Sequence, residues 1–198
     1  QADAIGVGSA LFDGTDDVIT TGYDTSGAPI DVTYSFWLKS SQTSDNNGVF
    51  GHGGVNAGAF HINRGGDKPM LYVGDSGGTR VRKWDDTSAQ DDGNWHHWAV
   101  FFDSDDMTGC KCYVDGVLLG VNATTNTGTF TAYSEGLNIG GDTASSGRYY
   151  EGNIAQFGVW TGELTQEQIQ SIMEKTYEEL TASEKTDLVS WYPLDAAA

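Results

Sequence analysis

The sequence predicts an all-β fold, a two-layer antiparallel sandwich with one short peripheral helix near residues 165–177. Three observations predict it. Short runs of alternating apolar and polar residues recur along the chain. Clusters of Gly, Asn, Asp and Ser separate them, and the chain has 27 glycines but only 3 prolines. One late segment alone changes to helical spacing. The 198 residues fit a single domain spanning 1–198, long enough to bury roughly 70% of its unfolded surface.

The strands follow in order. Ser9-Ala-Leu-Phe-Asp13, the turn Gly14-Thr-Asp16 and Asp17-Val-Ile-Thr-Thr21 read as a hairpin. In Asp31 to Lys39, Val32, Tyr34, Phe36 and Leu38 alternate with Thr33, Ser35 and Trp37. Val49-Phe-Gly51, Ala59 to Asn63 and Met70 to Gly74 read as further strands, and Arg80 to Trp84 as a weaker one. Trp95 to Phe102 is a long strand. Cys110 to Val114 runs into Asp115-Gly116, a strong two-residue turn signal, and returns as Val117 to Val121. Leu137 to Gly140 and Glu151 to Trp160 follow. Thr165-Gln-Glu-Gln168 is a capping box, and Ile169, Ile172, Met173 and Tyr177 keep helical spacing behind it. A second box, Thr181-Ala-Ser-Glu184, precedes another short helix or turn. Leu188 to Leu194 is the last strand, and Pro193 places it near an edge or strand end.

The net charge is −18 although charged residues are only 19% of the chain, because bases are scarce. Such a field repels nucleic acid and anionic lipid, so neither is an expected partner. It suits solubility in salty surroundings and the binding of cations. No apolar run approaches the roughly 18 residues of a membrane span, and no secretory leader is expected. Cys110 and Cys112 would share a strand face at about 6.6 Å between Cα atoms. A bond between them would be strained, so both are read as reduced, packed thiols.

Asn94-Trp-His-His-Trp-Ala-Val-Phe-Phe-Asp103 looks at first like a catalytic or metal centre. On a strand, however, His96 and His97 face opposite sides and cannot share one ion. Each side of the run is apolar, as in a strand packed between two layers. No run of alternating carboxylates such as E-x-D-x-x-E occurs; the acids fall in turns, including Asp85-Asp86, Asp91-Asp92 and Asp103 to Asp106. The paired carboxylates of a glycosidase are therefore not evident, and neither are a nucleophile elbow, a P-loop or H-E-x-x-H.

Three segments together resemble the laminin-G-like, pentraxin-like branch of the concanavalin A-like lectin/glucanase superfamily. They are Ala10 to Val18; Asn94-Trp-His-His-Trp-Ala-Val100 leading to Lys111 to Gly116; and Leu137 to Gly141 with Gly152-Asn-Ile-Ala155 and Leu164 to Ile169. Leu188 to Asp195 is similar to the closing strand. Ala155-Gln156 departs from the pattern, where many members carry an acid. The resemblance implies a jelly-roll sandwich. It also implies a structural Ca2+ held where the first hairpin meets the last strand, by Asp13, Asp17 and Asp195.

Ligand recognition is expected from exposed aromatic and polar residues: Trp84, Tyr149, Tyr150, Arg148, Asn46, Asn47 and the glycine-flanked His52. Arg82 and Lys83 beside Trp84 either meet an anionic sugar or neutralise Asp85 and Asp86. The expected role is non-catalytic recognition of carbohydrate on a cell surface or matrix, by an extracellular or virion-associated protein. The alternatives are a structural or decoration module that binds other protein subunits, and a divergent glycoside hydrolase.

Overall fold

The computed structural model describes residues 8–24, 31–41, 47–53, 58–62, 68–75, 78–85, 91–128, 130, 133, 135–142 and 148–195. In chain order its strands are β1 (Ala10–Asp13), β2 (Ile19–Thr20), β3 (Val32–Lys39), β4 (Gly48–His52), β5 (Gly58–His61), β6 (Met70–Asp75) and β7 (Gly78–Trp84). They continue as β8 (Trp95–Phe102), β9 (Lys111–Val114), β10 (Val117–Leu118), β11 (Val121–Asn126), β12 (Leu137–Ile139), β13 (Glu151–Thr161) and β14 (Leu188–Tyr192). Helix α1 (Gln166–Ile172) lies between β13 and β14. Sheet A runs β1–β13–β3–β8–β9–β10, with β14 also on β13; sheet B runs β11–β7–β6–β5–β4–β12–β2. All pairings are antiparallel, the two-sheet architecture expected of the jelly roll.

The period-2 pattern decides which side chains meet. Val32, Tyr34, Phe36 and Leu38 all enter the core between the sheets, as their alternation predicts. There Phe36 stacks on Phe157 from the same sheet at 5.1 Å, and Phe50 stacks on Phe60 at 5.7 Å. Phe36 meets Phe50 edge-on across the layers at 5.8 Å. Offset and edge contacts of this kind add to plain burial. On β8, Trp98, Val100 and Phe102 join this core, whereas Ala99 faces a second cluster with Trp160, Ile169 and Ile172. Helix α1 thus covers the outer face of sheet A.

The helix starts where the sequence predicts. Thr165 Oγ1 accepts from the Gln168 amide at 3.2 Å, and Gln168 Oε1 accepts from the Thr165 amide at 2.8 Å. It ends sooner than expected. Tyr177 belongs to a separate 3₁₀ turn, Tyr177–Glu179, whose own box has Glu179 accepting from the Thr176 amide. Thr181 to Glu184 opens a run of turns.

One predicted hairpin is corrected, and the return strand of a second is shorter than expected. Asp13 pairs with Glu151 in sheet A while Ile19 pairs with Ile139 in sheet B, so the first turn carries the chain between layers. The Asp115-Gly116 turn does close β9 on β10, with φ of 49° and 72° at its two central residues. The return strand then breaks at Leu119-Gly120, and β11 crosses to pair with β7. Because β11 is exposed throughout, its polar sequence carries no alternation that would have revealed it.

Candidate functional site

The outer face of sheet B follows from register. Directly paired residues point to the same side, so the row Gly48–His61–Met70–Lys83–Ala123 faces outward together. The next row on that side is Gly51–Ala59–Tyr72–Val81–Thr125. Between them lies the row Phe50–Phe60–Leu71–Arg82–Thr124, of which Phe50, Phe60 and Leu71 belong to the core.

The two outward rows frame a shallow groove of about 520 Å³ over Met70, Tyr72, Val81, Lys83, Ala123 and Thr125. Tyr72 is its aromatic platform. A Cβ at Gly74 would lie 2.6 Å from the Tyr72 hydroxyl, so the bare glycine lets the phenol lie along the strand. The walls are apolar, and Lys83 and Thr125 offer a few polar contacts at the rim, the mixture expected of a small-ligand surface.

Beside the groove, the segment Gly141–Asp142 and Arg148 closes over β4. Added Cβ atoms at Gly48 and Gly51 would lie 2.6 Å from Arg148 O and 3.1 Å from the Asp142 Cα. Only glycine admits so close a backbone. Asp142 Oδ2 accepts from an Arg148 guanidinium nitrogen at 2.9 Å and lies 3.6 Å from His61 Nε2. Burial by itself raises the Asp142 carboxyl; His61 and Arg148 outweigh it and hold it below the ordinary carboxylate range. The result is a buried carboxylate with a partly exposed arginine at the rim.

Of the residues expected to bind ligand, Arg148 and Tyr149 stand at this rim, with Tyr149 bridging Gly141. Four others are not the exposed groups the sequence suggested. Trp84 is fully buried, because Lys83 occupies the outward position and sends its neighbour into the core. Tyr150 is fully buried edge-on to Phe12. Asn47 is 1% exposed; its Oδ1 accepts from the Glu151 amide and its backbone oxygen from the Ile62 amide. His52 is 1% exposed, 3.0 Å from the Tyr34 hydroxyl and stacked on Tyr133 at 4.0 Å. Burial pushes its pKa down to about 4. Asn46 lies outside the described residues. Tyr72 was missed, although Leu71 and Val73 turning inward would have placed it outward.

Arg82 does not serve a surface basic cluster either. It turns inward and donates to Thr124 Oγ1 and to Thr108 O. Arg80 donates to Asn126 Oδ1, Ser104 O and Asp105 O. Both arginines thereby hold the Asp103 to Thr108 loop against sheet B. In that loop Asp103 Oδ1 accepts from the Asp105 and Asp106 amides, a turn use of aspartate.

A second groove, about 550 Å³, runs along the edge of sheet A past Asp13, Asp17, Lys39, Ser40 and Glu151. Asp13, Asp16 and Asp17 bring one carboxylate oxygen each within 4.8 Å of one another. Asp195 is not with them. Asp13 sits opposite Glu151, whereas Pro193 O accepts from the Gln156 amide. Five residues of β13 separate these points, on the order of 15 Å. A donor set of carboxylate oxygens suits a hard cation such as Ca2+, which also draws on backbone carbonyls and water.

The two histidines of β8 face apart. His97 lies 2.8 Å from Ser35 Oγ, whereas His96 Nδ1 lies 2.8 Å from Asp115 Oδ2 at the rim. Cys110 and Cys112 are buried free thiols, and burial pushes Cys110 up to about 12, far from a reactive thiolate.

A family model described as the concanavalin A-like lectin/glucanases superfamily matches residues 13–170. No curated protein matches the sequence. Among solved structures, a Bacteroides ovatus protein provisionally called carbohydrate-binding is similar with a TM-score of 0.67 and 19% identity, over 96% of this chain and 52% of that one. Domains LG4-5 of the mouse laminin α1 chain give 0.57 and 14%, over 83% and 46%. The Ruminococcus gnavus IT-sialidase CBM40 bound to α2,3 sialyllactose gives 0.55 and 14%, over 87% and 100%. The chain spans about half the length of the first two. Among the described residues, no helix is long and apolar enough to cross a membrane.

Proposed function

Because the chain belongs to the concanavalin A-like lectin/glucanase superfamily, we propose that it is a non-catalytic module that binds carbohydrate through the outer face of sheet B. The observation that carries this reading is the Tyr72 platform in its groove, beside the Asp142–Arg148 rim. A sugar ring lays its C–H face on such an aromatic ring and sets its hydroxyls against Lys83, Thr125 and Arg148. The groove lining includes no carboxylate, so the acid pair of a glycosidase has no members there. The similar B. ovatus and R. gnavus structures support the substrate class. A cell surface or matrix is the setting that fits, and calcium held by Asp13, Asp16 and Asp17 is the accompanying proposal.

A glycan array with and without calcium tests this. The expected result is a reproducible set of hits that Tyr72→Ala removes. Hits indifferent to Tyr72→Ala move the site elsewhere. No hit under either condition, or release of reducing sugar from a polysaccharide, overturns the reading.

A further inference from the structure

We propose that the protein carries a second binding site, for the ring of a neutral sugar, on the outer side of sheet A where β14 meets the 3₁₀ turn. The site extends the carbohydrate reading but stands on its own residues. A cavity of about 190 Å³ is lined there by Gln156, Thr176, Tyr177, Glu178, Trp191 and Asp195, among others. It opens onto a groove of about 320 Å³ along β14 that shares Tyr177, Glu178 and Trp191.

Three features make this a built site. The first is an aromatic wall. Tyr177, 41% exposed, lies with its ring 6.0 Å from that of Trp191 at 47°. Trp191 is held by Trp160 edge-on at 6.0 Å, a contact that Gly158 permits, since a Cβ there would meet both rings. The second is a pair of buried polar atoms without partners. Gln156 is 5% exposed, yet its Oε1 has no hydrogen bond, and the Trp191 Nε1–H has none either. The third is backbone strain. Gln156 adopts φ 52° within a bulge of β13, with its amide donating to Pro193 O at 3.0 Å. Bulges of this kind re-aim a side chain.

The chemistry selects the ligand. One orphan is an acceptor and the other a donor, and the hydroxyls of a sugar supply both roles. The rings suit the C–H face of a sugar. Glu178 and Asp195 line the cavity, opposed by Lys185, whose ammonium lies 4.4 Å from the centre of the Tyr177 ring; in a chain of net charge −18 the balance disfavours carboxylates and phosphates. A quaternary ammonium would suit the rings and the acids, but it has no lone pair for the indole N–H.

The test is a titration of the ¹⁵N-labelled protein with neutral di- and trisaccharides of glucose, galactose, mannose and arabinose, following amide and indole resonances. Saturable shifts at Trp191 Nε1–H, Gln156 and Tyr177 are expected for at least one of them. Trp191→Phe keeps a ring and removes the donor; Gln156→Asn keeps a residue that tolerates positive φ and withdraws the amide. Each is expected to weaken binding roughly tenfold, while Tyr72→Ala leaves it unchanged. Shifts confined to the sheet B groove overturn this site and leave the sheet B reading intact. Shifts here from choline but from no sugar overturn the neutral-sugar assignment. Silence at both faces overturns this site and leaves the sheet B reading to the glycan array.

Discussion

His97 Nε2 lies 2.8 Å from Ser35 Oγ, on the face of sheet A that looks away from the main core. Burial pushes the pKa of His97 down to about 3, against a partial lift from Asp115, and that of His52 down to about 4, against a partial lift from the Glu135 backbone. Both imidazoles are therefore neutral in the folded protein and take up protons more readily when unfolded. Their contribution to stability is complete above pH 6.5 and is lost as pH falls toward 4. Each histidine gives a slope of up to roughly 1.4 kcal/mol per pH unit in that window. Urea melts between pH 7 and 4.5 check this, and His97→Gln is expected to flatten the slope. A flat wild-type profile would falsify the burial of both rings.

Arg80 is 4% exposed and places three nitrogens on Asn126, Ser104 and Asp105. Arg80→Met is expected to cost about 3 kcal/mol, because two carbonyl groups lose charged donors. Amide exchange should quicken across Asp103 to Thr108 at the same time. Equal protection of that loop in both proteins would show that Arg80 does not hold it.

Trp95, at the start of β8, is only partly buried, whereas Trp98 is 2% exposed. Trp98→Ala should cost about 3–5 kcal/mol by cavity formation. Trp95→Ala should cost clearly less. Comparing the two denaturation midpoints decides it, and equal costs would contradict the burial difference.

Gly48→Ala puts a methyl group 2.6 Å from Arg148 O. The backbone there must move, at about 1–3 kcal/mol. Glycan binding at the sheet B rim should weaken with it, since Asp142 and Arg148 travel on the same segment. Retained stability and binding would show that the segment is not docked on β4.

Chelation is expected to lower the melting temperature. A ligand present at a hundredfold its Kd stabilises the fold by about 2.7 kcal/mol, worth several degrees in a domain of this size. Asp16→Asn should shrink that shift. An identical melt with and without chelator, and no metal by mass spectrometry, removes the ion from the account.

What could be read from the chain alone was the information written at short range. Alternation along Val32 to Leu38 named the core face of β3, and Thr165 with Gln168 named the start of α1. Asp115-Gly116 named its turn. Opposed directions at His96 and His97 followed from the geometry of any extended strand. The ordered motifs pointed to the superfamily that the model over residues 13–170 shows.

Tertiary structure decided everything that depends on which strands become neighbours. A turn of polar residues gives no local sign that Asp13 and Ile19 enter different sheets, or that Val121 leaves the sheet of Leu118. Glycine flanks made His52 look exposed, but burial is a property of what packs above a residue, and Tyr133 packs there from 81 residues away. The same cause put Tyr150 inside against Phe12 and brought Gln156 beside Trp191. Side-chain direction is set by the backbone's own period, whereas neighbourhood is set by distant segments arriving, and only the second makes a site.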